Sequence, residues 1–209
     1  MVGILGGTFD PIHFGHLRPA LDCIQSLGLH EIRFIPLNVA VHRPPPLAPP
    51  ALRLAMLEAA IAGQTGFVAD RREIERPGGS FTYHTLVSLR AELGRERPLC
   101  LLIGADAFAG FLGWHRPHDI LELAHVIVMQ RPRPPVPPDL GLRALWAQRI
   151  SHDPGELAET PAGRILFQAV TQIDVSATRV RELVRQGWSP RYLLPDAVIS
   201  IIESERLYR

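Results

Sequence analysis

The sequence predicts an α/β protein in which helices cover both faces of a doubly wound parallel sheet. Short apolar runs alternate with amphipathic helical patterns along the 209 residues, and this alternation is typical of parallel strands joined by crossover helices. No internal repeat or change in composition marks a linker. We therefore expect residues 1–209 to form a single domain, with a C-terminal helical part, about 176–209, packed on the sheet.

In the first half of the chain, apolar runs and their stop signals predict three strands and three helices. The apolar run 2–5 ends at two glycines, and a helical pattern over 17–27 is stopped by Gly28. A strand over 32–37 leads into a proline-rich loop. The remaining elements expected in this half are a helix over 51–62, a strand over 67–69 and a helix from 81 or 82 to 93.

In the second half, the predicted strands cover residues 99–103, 125–129 and 166–173. Five prolines between 131 and 138 indicate a stiff surface loop, because proline lacks a backbone donor and fixes its φ angle. Helices are expected over 176–186 and 195–205. Ligands of a doubly wound sheet bind beyond the carboxyl ends of the strands, where the strand order reverses. The loops after the strands are therefore the place to look for a site.

The charge balance excludes several classes of function. The chain has 22 basic and 21 acidic residues and a net charge of +1, which gives no strong general field for nucleic acid or an acidic membrane. Every basic residue is arginine, because the sequence contains no lysine. This excludes Schiff-base enzymes, lysine general bases and phosphate loops that end in Gly-Lys-Ser/Thr.

The cysteines and the apolar runs predict a cytoplasmic protein. Cys23 and Cys100 lie among apolar neighbours without metal-ligand spacing, so we expect two buried, reduced thiols. No apolar run approaches the ~20 residues needed to span a bilayer, and residues 1–5 are too short and uncharged for a signal peptide. The oligomeric state is left open, and a homo-oligomer is among the states allowed.

The turn after the first strand carries the strongest chemical signal, which is GGTFDPIHFGH at residues 6–16. Two glycines leave backbone N–H groups accessible to an anion. His13 and His16 share one face at the start of the following helix, and Gly15 removes bulk between them. Two imidazoles at a helix N-terminus are suited to donating hydrogen bonds to phosphate oxygens. The alternative is that the pair binds a metal, although no third ligand accompanies it.

This string resembles the Gly-x-Phe-x-Pro-x-His-x-Gly-His signature of the nucleotidyltransferase superfamily that includes nicotinate mononucleotide, pantetheine phosphate and glycerol phosphate nucleotidyltransferases. The resemblance implies a Rossmann-like nucleotidyltransferase fold. It also implies that His13 and His16 bind the ATP phosphates and stabilise the transition state.

A second candidate anion site starts the helix at 176–186. Ser176 is a good N-cap, and Thr178 and Arg181 lie within about one turn of it; by itself the segment is also typical of a capped surface helix. It is similar to the superfamily's Ile-Ser-Ser-Thr-x-x-Arg motif, with Ala177 in place of one serine. The resemblance implies that Arg181 is catalytic and acts on the β- and γ-phosphates, whereas Arg179 fills a variable, solvated position. The ATP-binding residues expected from the two motifs are Gly6, Gly7, Thr8, Phe9, His13, Gly15, His16, Ser176, Thr178 and Arg181.

The middle of the chain resembles bacterial nicotinate mononucleotide adenylyltransferases in three stretches: 41–44, 75–86 and 103–106 followed by 114–115. Trp114 offers a flat face for a pyridine ring, although core packing is an equal alternative. Asp106 is expected to contact nucleotide sugar or, alternatively, to cap a helix. Phe81 and His84 depart from the residues common in that family. The substrate-binding residues expected are His42, Arg43, Thr82, Gly104, Asp106, Trp114 and His115.

Together, the motifs and the resemblance imply that ATP and nicotinate mononucleotide react to give nicotinate adenine dinucleotide and pyrophosphate. Mg²⁺ would be carried with ATP, held mainly by phosphates and water, so no protein metal ligand is expected. Backbone N–H groups at Thr82 and His115 would receive the nicotinate carboxylate. Two alternatives stay open: an acceptor such as nicotinamide mononucleotide or another phosphomonoester, or a nucleotide-binding sensor without catalysis.

Overall fold

The computed structural model describes residues 1–39, 44–130 and 140–209. Its strands are β1 Val2–Gly7, β2 Glu31–Pro36, β3 Phe67–Ala69, β4 Leu99–Gly104, β5 His125–Gln130, β6 Ile150–Ser151 and β7 Ile165–Ala169. These strands form one sheet in the order β3-β2-β1-β4-β5-β7-β6, and every ladder is parallel. The predicted doubly wound, Rossmann-like sheet is confirmed.

Helices and one short 3₁₀ turn connect the strands or, for the last two helices, follow them. They are α1 Phe14–Leu27, α2 Pro50–Ile61, α3 Arg72–Glu75, α4 Thr82–Leu93, α5 Ala105–Ala109, the 3₁₀ turn Phe111–Gly113, α6 Pro117–Leu123, α7 Leu140–Arg149, α8 Glu156–Glu159, α9 Ala177–Arg185 and α10 Asp196–Ser204. Gly28 ends α1 with a φ of 63°, and Gly187 follows α9 with a φ of 72°. Both glycines occupy the left-handed region that side chains disfavour, as their role as helix stops predicts.

The hydrophobic core has two layers, one on each face of the sheet. Along β4, Cys100 and Leu102 belong to one layer, whereas Leu101 and Ile103 belong to the other. The alternation follows from the two-residue period of a strand, and both faces are apolar because helices cover both. Helix α10 packs against α2 on the first layer.

The sequence expectations differ from the structure mainly in short elements. The last strand ends at Ala169 rather than at 173, because its pairing with β5 stops where Gln130 faces Ala169. The elements that the sequence did not predict are α3, α5, α6, α7, α8 and β6. Helices α3, α5 and α8 have only four or five residues, too few for the 3.6-residue period to repeat. The expected proline-rich surface loop at 131–138 lies outside the described residues.

Among the described residues, no helix combines the length and the apolar character that a membrane span requires.

Candidate active site

A crevice opens between β1 and β4, where the strand order reverses. The two strands pair only between Val2–Ile4 and Leu99–Leu101. Each strand then continues for three residues beyond the last pair, to Gly7 in β1 and to Gly104 in β4. The separated carboxyl ends leave room for a ligand at the position where doubly wound sheets bind theirs.

The end of β1 and the loop that follows it leave backbone groups accessible at this edge of the sheet. A Cβ built on Gly6 meets nothing within 4 Å, whereas one on Gly7 would lie 2.8 Å from the Phe9 ring. Phe9 has a φ of 48° and a side chain only 2 % exposed. Its ring therefore lies in the core beneath the loop. Only the backbone of Phe9 is left to contact a nucleotide. Thr8 is partly buried.

His13 and His16 form a stacked pair at the start of α1. His13 is the N-cap residue, and the two ring centroids lie 3.8 Å apart at an interplanar angle of 30°. The Phe9 ring meets His16 edge-on, with the centroids 5.2 Å apart. A Cβ on Gly15 would lie 3.0 Å from the His13 ring and from Val175 Cγ1, so any larger residue there would have to displace one of these side chains. The shared face expected from the sequence is present.

Both imidazoles are held in the neutral state. Burial lowers the pKa of His13 to about 4. Burial, together with repulsion from His13, lowers the pKa of His16 to about 3. Among the described residues, the buried Nδ1 atom of each ring has no hydrogen-bond partner. An anion placed beside the pair would favour the protonated form and raise both pKa values.

The first turn of α9 reaches the same loop through Arg181. Ser176 is the N-cap, and its hydroxyl accepts a hydrogen bond of 3.2 Å from the Arg179 backbone N–H. Arg181 donates from Nη1 to the Asp10 carbonyl oxygen at 2.7 Å and from Nη2 to Thr178 Oγ1 at 3.2 Å. The guanidinium is thereby fixed beside the histidine loop. Arg179 is different, because its side chain is 53 % exposed and its contact with Glu182 is 4.0 Å long.

Asp10 organises this region, although the sequence analysis did not select it. Its Oδ2 accepts from the Leu47 backbone N–H at 2.8 Å, and its Oδ1 accepts from the Ala48 N–H at 3.1 Å. The Tyr208 hydroxyl donates to Oδ1 at 2.7 Å. Three donors therefore compensate the buried carboxylate, while the backbone carbonyl of the same residue holds Arg181.

Arg53 is a second residue that the sequence analysis missed. Its side chain is fully buried, and its guanidinium donates to three carbonyl oxygens, those of Thr8 at 2.8 Å, Leu37 at 2.7 Å and Ala48 at 3.2 Å. Burial lowers the pKa of Arg53, and the attraction of Asp10 offsets only part of this effect. The sequence held a signal for this residue, because Arg53 precedes Met56 and Leu57 by three and four positions and so shares their buried stripe.

On the acceptor side, two chain segments are joined at the end of β2. The Asn38 backbone N–H donates to Ser80 Oγ at 3.0 Å, and the Ser80 N–H donates to the Val39 carbonyl oxygen at 3.1 Å. The contacts place the segment before α4 beside the segment after β2. Thr82, the first residue of α4, lies at this junction. The expected residues His42 and Arg43, which follow Val39 in the chain, lie outside the described residues.

A cluster of rings surrounds the exposed His115. Its centroid lies 4.8 Å from that of Phe81, 5.4 Å from that of His84 and 5.9 Å from that of Tyr83. The Arg116 guanidinium carbon lies 4.1 Å from the Tyr83 ring centroid. His115 is one of the expected substrate-binding residues. Phe81 and Tyr83, which contact it, flank another expected residue, Thr82. Tyr83 was not among the site residues expected from the sequence.

The other expected acceptor residues follow β4 in the chain. Gly104 and Asp106 are exposed at the end of β4. Gly104 is the N-cap of α5, and Asp106 lies in the first turn, so the alternative that Asp106 caps the helix is wrong. Trp114 is partly buried, and its ring centroid lies 5.5 Å from that of Phe111. Packing therefore uses one part of this side chain and leaves another part accessible.

Within residues 1–39, 44–130 and 140–209, no group of three or more His, Cys, Asp or Glu side chains is arranged to hold a metal ion. The alternative interpretation of His13 and His16 as metal ligands therefore finds no third protein ligand in this part of the chain.

Comparisons with known proteins give a consistent result. The family model described as cytidylyltransferase-like matches residues 4–183. A protein of Methylococcus capsulatus named "Probable nicotinate-nucleotide adenylyltransferase" is 47 % identical over 209 residues, which cover 100 % of this chain and 99 % of that protein. A protein of the same name from Halorhodospira halophila is 47 % identical over 199 residues, covering 94 % of this chain and 90 % of its own.

Solved structures show the same fold at much lower sequence identity. The Plasmodium falciparum nicotinic acid mononucleotide adenylyltransferase complexed with NaAD is 16 % identical and has a TM-score of 0.73, covering 99 % of this chain and 96 % of that one. The same Plasmodium falciparum enzyme complexed with APC has a TM-score of 0.71 at 17 % identity.

Proposed function

Because this chain belongs to the cytidylyltransferase-like family and, within it, to the nicotinate-nucleotide adenylyltransferases, we propose that it joins ATP and nicotinate mononucleotide to give nicotinate adenine dinucleotide and pyrophosphate. The observation that carries the proposal is the stacked pair His13 and His16 beside Arg181, at the carboxyl edge where the strand order reverses. We expect these three nitrogen-bearing side chains to donate to a triphosphate bound at that edge.

The reaction needs no covalent intermediate with the protein. A 5′-phosphate oxygen of nicotinate mononucleotide attacks the α-phosphorus of ATP in line, a new P–O bond forms, and the bond between the α-phosphorus and the bridging oxygen breaks. Pyrophosphate leaves with that oxygen and its electron pair. Catalysis then consists of positioning and of stabilising charge on the phosphoryl oxygens.

His13 and His16 supply donors where negative charge develops. The low pKa values of about 4 and 3 apply to the protein without nucleotide. Approach of the triphosphate favours protonation, so the pair becomes more positive as the anion enters. The N-terminus of α1 adds its partial positive charge at the same point. Gly6, Gly7, Thr8 and Gly15 contribute accessible backbone to this subsite.

Arg181 is proposed to hold the β- and γ-phosphates. Its contacts with the Asp10 carbonyl oxygen and Thr178 use two of its nitrogens, and a guanidinium presents five N–H donors in all. The hydroxyls of Ser176 and Thr178 are exposed at the same helix start. Together they complete the phosphate-binding side of the crevice.

The acceptor is proposed to bind between the β4 end and α4. The backbone N–H groups of Thr82 and His115 receive the carboxylate, and Trp114 stacks on the pyridine ring. Gly104 and Asp106 contact the nucleotide sugar, and His42 and Arg43 come from the neighbouring loop. Main-chain donors favour an acid over a carboxamide, because the amide N–H₂ would face a donor.

Mg²⁺ is proposed to enter with ATP; it would be held mainly by the phosphates and water, with no protein ligand, and would neutralise part of the phosphate charge. We also propose that residues 1–209 form one domain, supported by the packing of α10 against α2. A cytoplasmic location is proposed as well, supported by the buried free thiols of Cys23 and Cys100.

ATP that is radiolabelled at the α-phosphate tests the chemistry. With nicotinate mononucleotide and Mg²⁺, the label is expected in the dinucleotide, and the released pyrophosphate should be unlabelled. Label in ADP, or in AMP without release of free pyrophosphate, would place the attack on a different phosphorus and contradict the proposal. Labelled ATP that binds and is recovered unchanged would indicate the sensor alternative.

A further inference from the structure

The C-terminal tail folds back onto the loop that carries the histidines. Helix α10 ends at Ser204, and Arg206 and Tyr208 both have positive φ angles, of 53° and 63°. The Leu207 backbone N–H returns to the Ile202 carbonyl oxygen at 3.0 Å. This turn directs the Tyr208 side chain into the molecule, where its hydroxyl donates to Asp10 Oδ1 at 2.7 Å.

The Tyr208–Asp10 bond is a partly buried, charge-assisted contact. Asp10 is 4 % exposed. Burial and the bond to Asp10 raise the pKa of Tyr208, so the phenol acts as a donor. Hydrogen bonds from neutral donors to a buried carboxylate are among the stronger ones in proteins. The tyrosine ring packs on the same core layer as Phe9.

Asp10 connects the tail to both halves of the phosphate-binding side. It lies three residues before His13, and its carbonyl oxygen accepts the Arg181 Nη1 bond of 2.7 Å. Arg53 Nη1 donates a hydrogen bond to the Thr8 carbonyl oxygen at 2.8 Å. The other Asp10 bonds reach residues 47 and 48 before α2. No contact described for Asp10 involves Thr82 or His115, the acceptor side.

We propose that Tyr208 is a positioning residue for ATP. Its bond to the Asp10 carboxylate fixes the position of the loop that carries His13 and His16. Because the carbonyl oxygen of Asp10 accepts from Arg181, the same bond also fixes the position of the Arg181 guanidinium. The inference rests on the adenylyl transfer proposed above. It assigns to the end of the chain a role in the chemical step, and it predicts an effect on the ATP side of the reaction that spares the acceptor side.

The test compares Tyr208→Phe with the matched control Tyr192→Phe. The first change removes one hydroxyl and keeps the ring, and the second removes a hydroxyl from a side chain that is 85 % exposed. In Tyr208→Phe, kcat per active site is expected to fall about 10-fold or more, because even a small displacement of the reacting groups slows the chemical step. The KM for nicotinate mononucleotide should stay within about twofold. Tyr192→Phe should match the parent.

Active sites are counted with a non-hydrolysable ATP analogue, and unfolding is followed by its thermal midpoint. A full count of sites with a reduced kcat supports positioning. Unchanged kcat per site in Tyr208→Phe would overturn the inference. Fewer active sites, or partial unfolding, with an unchanged kcat for each remaining site would also overturn the inference, because a purely structural role predicts that pattern. An equal rise of KM for ATP and for the acceptor would also overturn it.

A double-mutant cycle tests the route through Asp10. If Tyr208 acts through this carboxylate, Tyr208→Phe should lower kcat by less than about twofold in an Asp10→Asn background. The effects of substitutions at two residues that act through the same contact are not additive. Fully multiplicative effects would overturn the proposed route. Failure of the proposed function is distinguishable, because then the parent and Tyr192→Phe would also form no dinucleotide.

Discussion

The rings of His13 and His16 stack with their centroids 3.8 Å apart, and the buried Nδ1 atom of each finds no hydrogen-bond partner in the part of the chain that the structure describes. Two neutral imidazoles in contact can share a site that two imidazolium ions could not occupy without strong repulsion. The arrangement is therefore poised to respond to a polyanion. This response links the geometry of the pair to catalysis and to the pH dependence of folding.

Replacing His16 by alanine is expected to reduce turnover far more than binding. The imidazole acts where negative charge increases during transfer, so kcat should fall about 100-fold or more, whereas the Kd for ATP should change only a few-fold. Steady-state kinetics and equilibrium titration with an ATP analogue measure the two effects. His118→Ala, on the exposed side of α6, serves as the control and should retain parental kinetics. Equal losses in kcat and in ATP affinity would contradict the assigned role.

Folding stability is expected to decrease as the pH falls from about 6.5 towards 4. In this range the histidines bind protons in the unfolded chain, whereas His13 and His16 stay unprotonated in the native state. The native pKa values are about 4 for His13 and about 3 for His16. Each contributes up to about 1.4 kcal/mol of unfolding free energy per pH unit in that range. The buried His125, whose pKa is also lowered by burial, acts in the same direction.

Urea denaturation of the parent and of the His13→Asn, His16→Asn double variant measures this slope. The variant should show a weaker pH dependence between pH 4 and about 6.5, whereas at pH 8 both histidines are neutral in both states and the variant reports only the loss of packing. Parallel pH profiles for the two proteins would show that the histidines are not held neutral in the native state.

Arg181 and Arg179 offer a matched pair on one helix. Arg181→Met is expected to lower kcat/KM for ATP about 100-fold, because it removes a charged donor held beside the triphosphate. Arg179→Met should have little effect, since the Arg179 side chain is 53 % exposed. Kinetics with varied ATP at saturating acceptor measure both. Similar losses in the two variants would indicate a general electrostatic attraction instead of a specific contact.

Arg53→Met is expected to destabilise the native state by roughly 3–5 kcal/mol, because three carbonyl oxygens lose their buried donor. The matched change Arg71→Met concerns a side chain that is 57 % exposed, and a surface pair of this kind contributes at most about 1 kcal/mol. Chemical denaturation gives both values. A small change in Arg53→Met would mean that water replaces the guanidinium at the three carbonyls.

The features predicted correctly from the sequence are those whose signals lie close together in the chain. Gly28 and Gly187 terminate their helices as expected, and Ser176 caps α9 through the Arg179 N–H. His13 and His16 stack because three positions on a helix bring side chains to one face. The strand–helix alternation predicts a parallel sheet because few other architectures bury such a pattern.

The features missed depend on contacts between distant parts of the chain. Tyr208 and Asp10 are 198 positions apart, and Arg53 reaches Thr8 across 45 positions. No local period reports such pairs. Asp10 did carry a chemical clue, since a carboxylate inside an anion-binding loop requires its own donors, but the identity of those donors depends on the tertiary fold.

The central claim is that this chain adenylylates nicotinate mononucleotide, and release of pyrophosphate from ATP and Mg²⁺ tests it most directly. The purified protein is assayed with nicotinate mononucleotide, with nicotinamide mononucleotide and without acceptor. We expect release with the acid, much less with the amide, and none without acceptor. Faster release with the amide would contradict the proposed carboxylate pocket, and absence of release with either acceptor would contradict the claim itself.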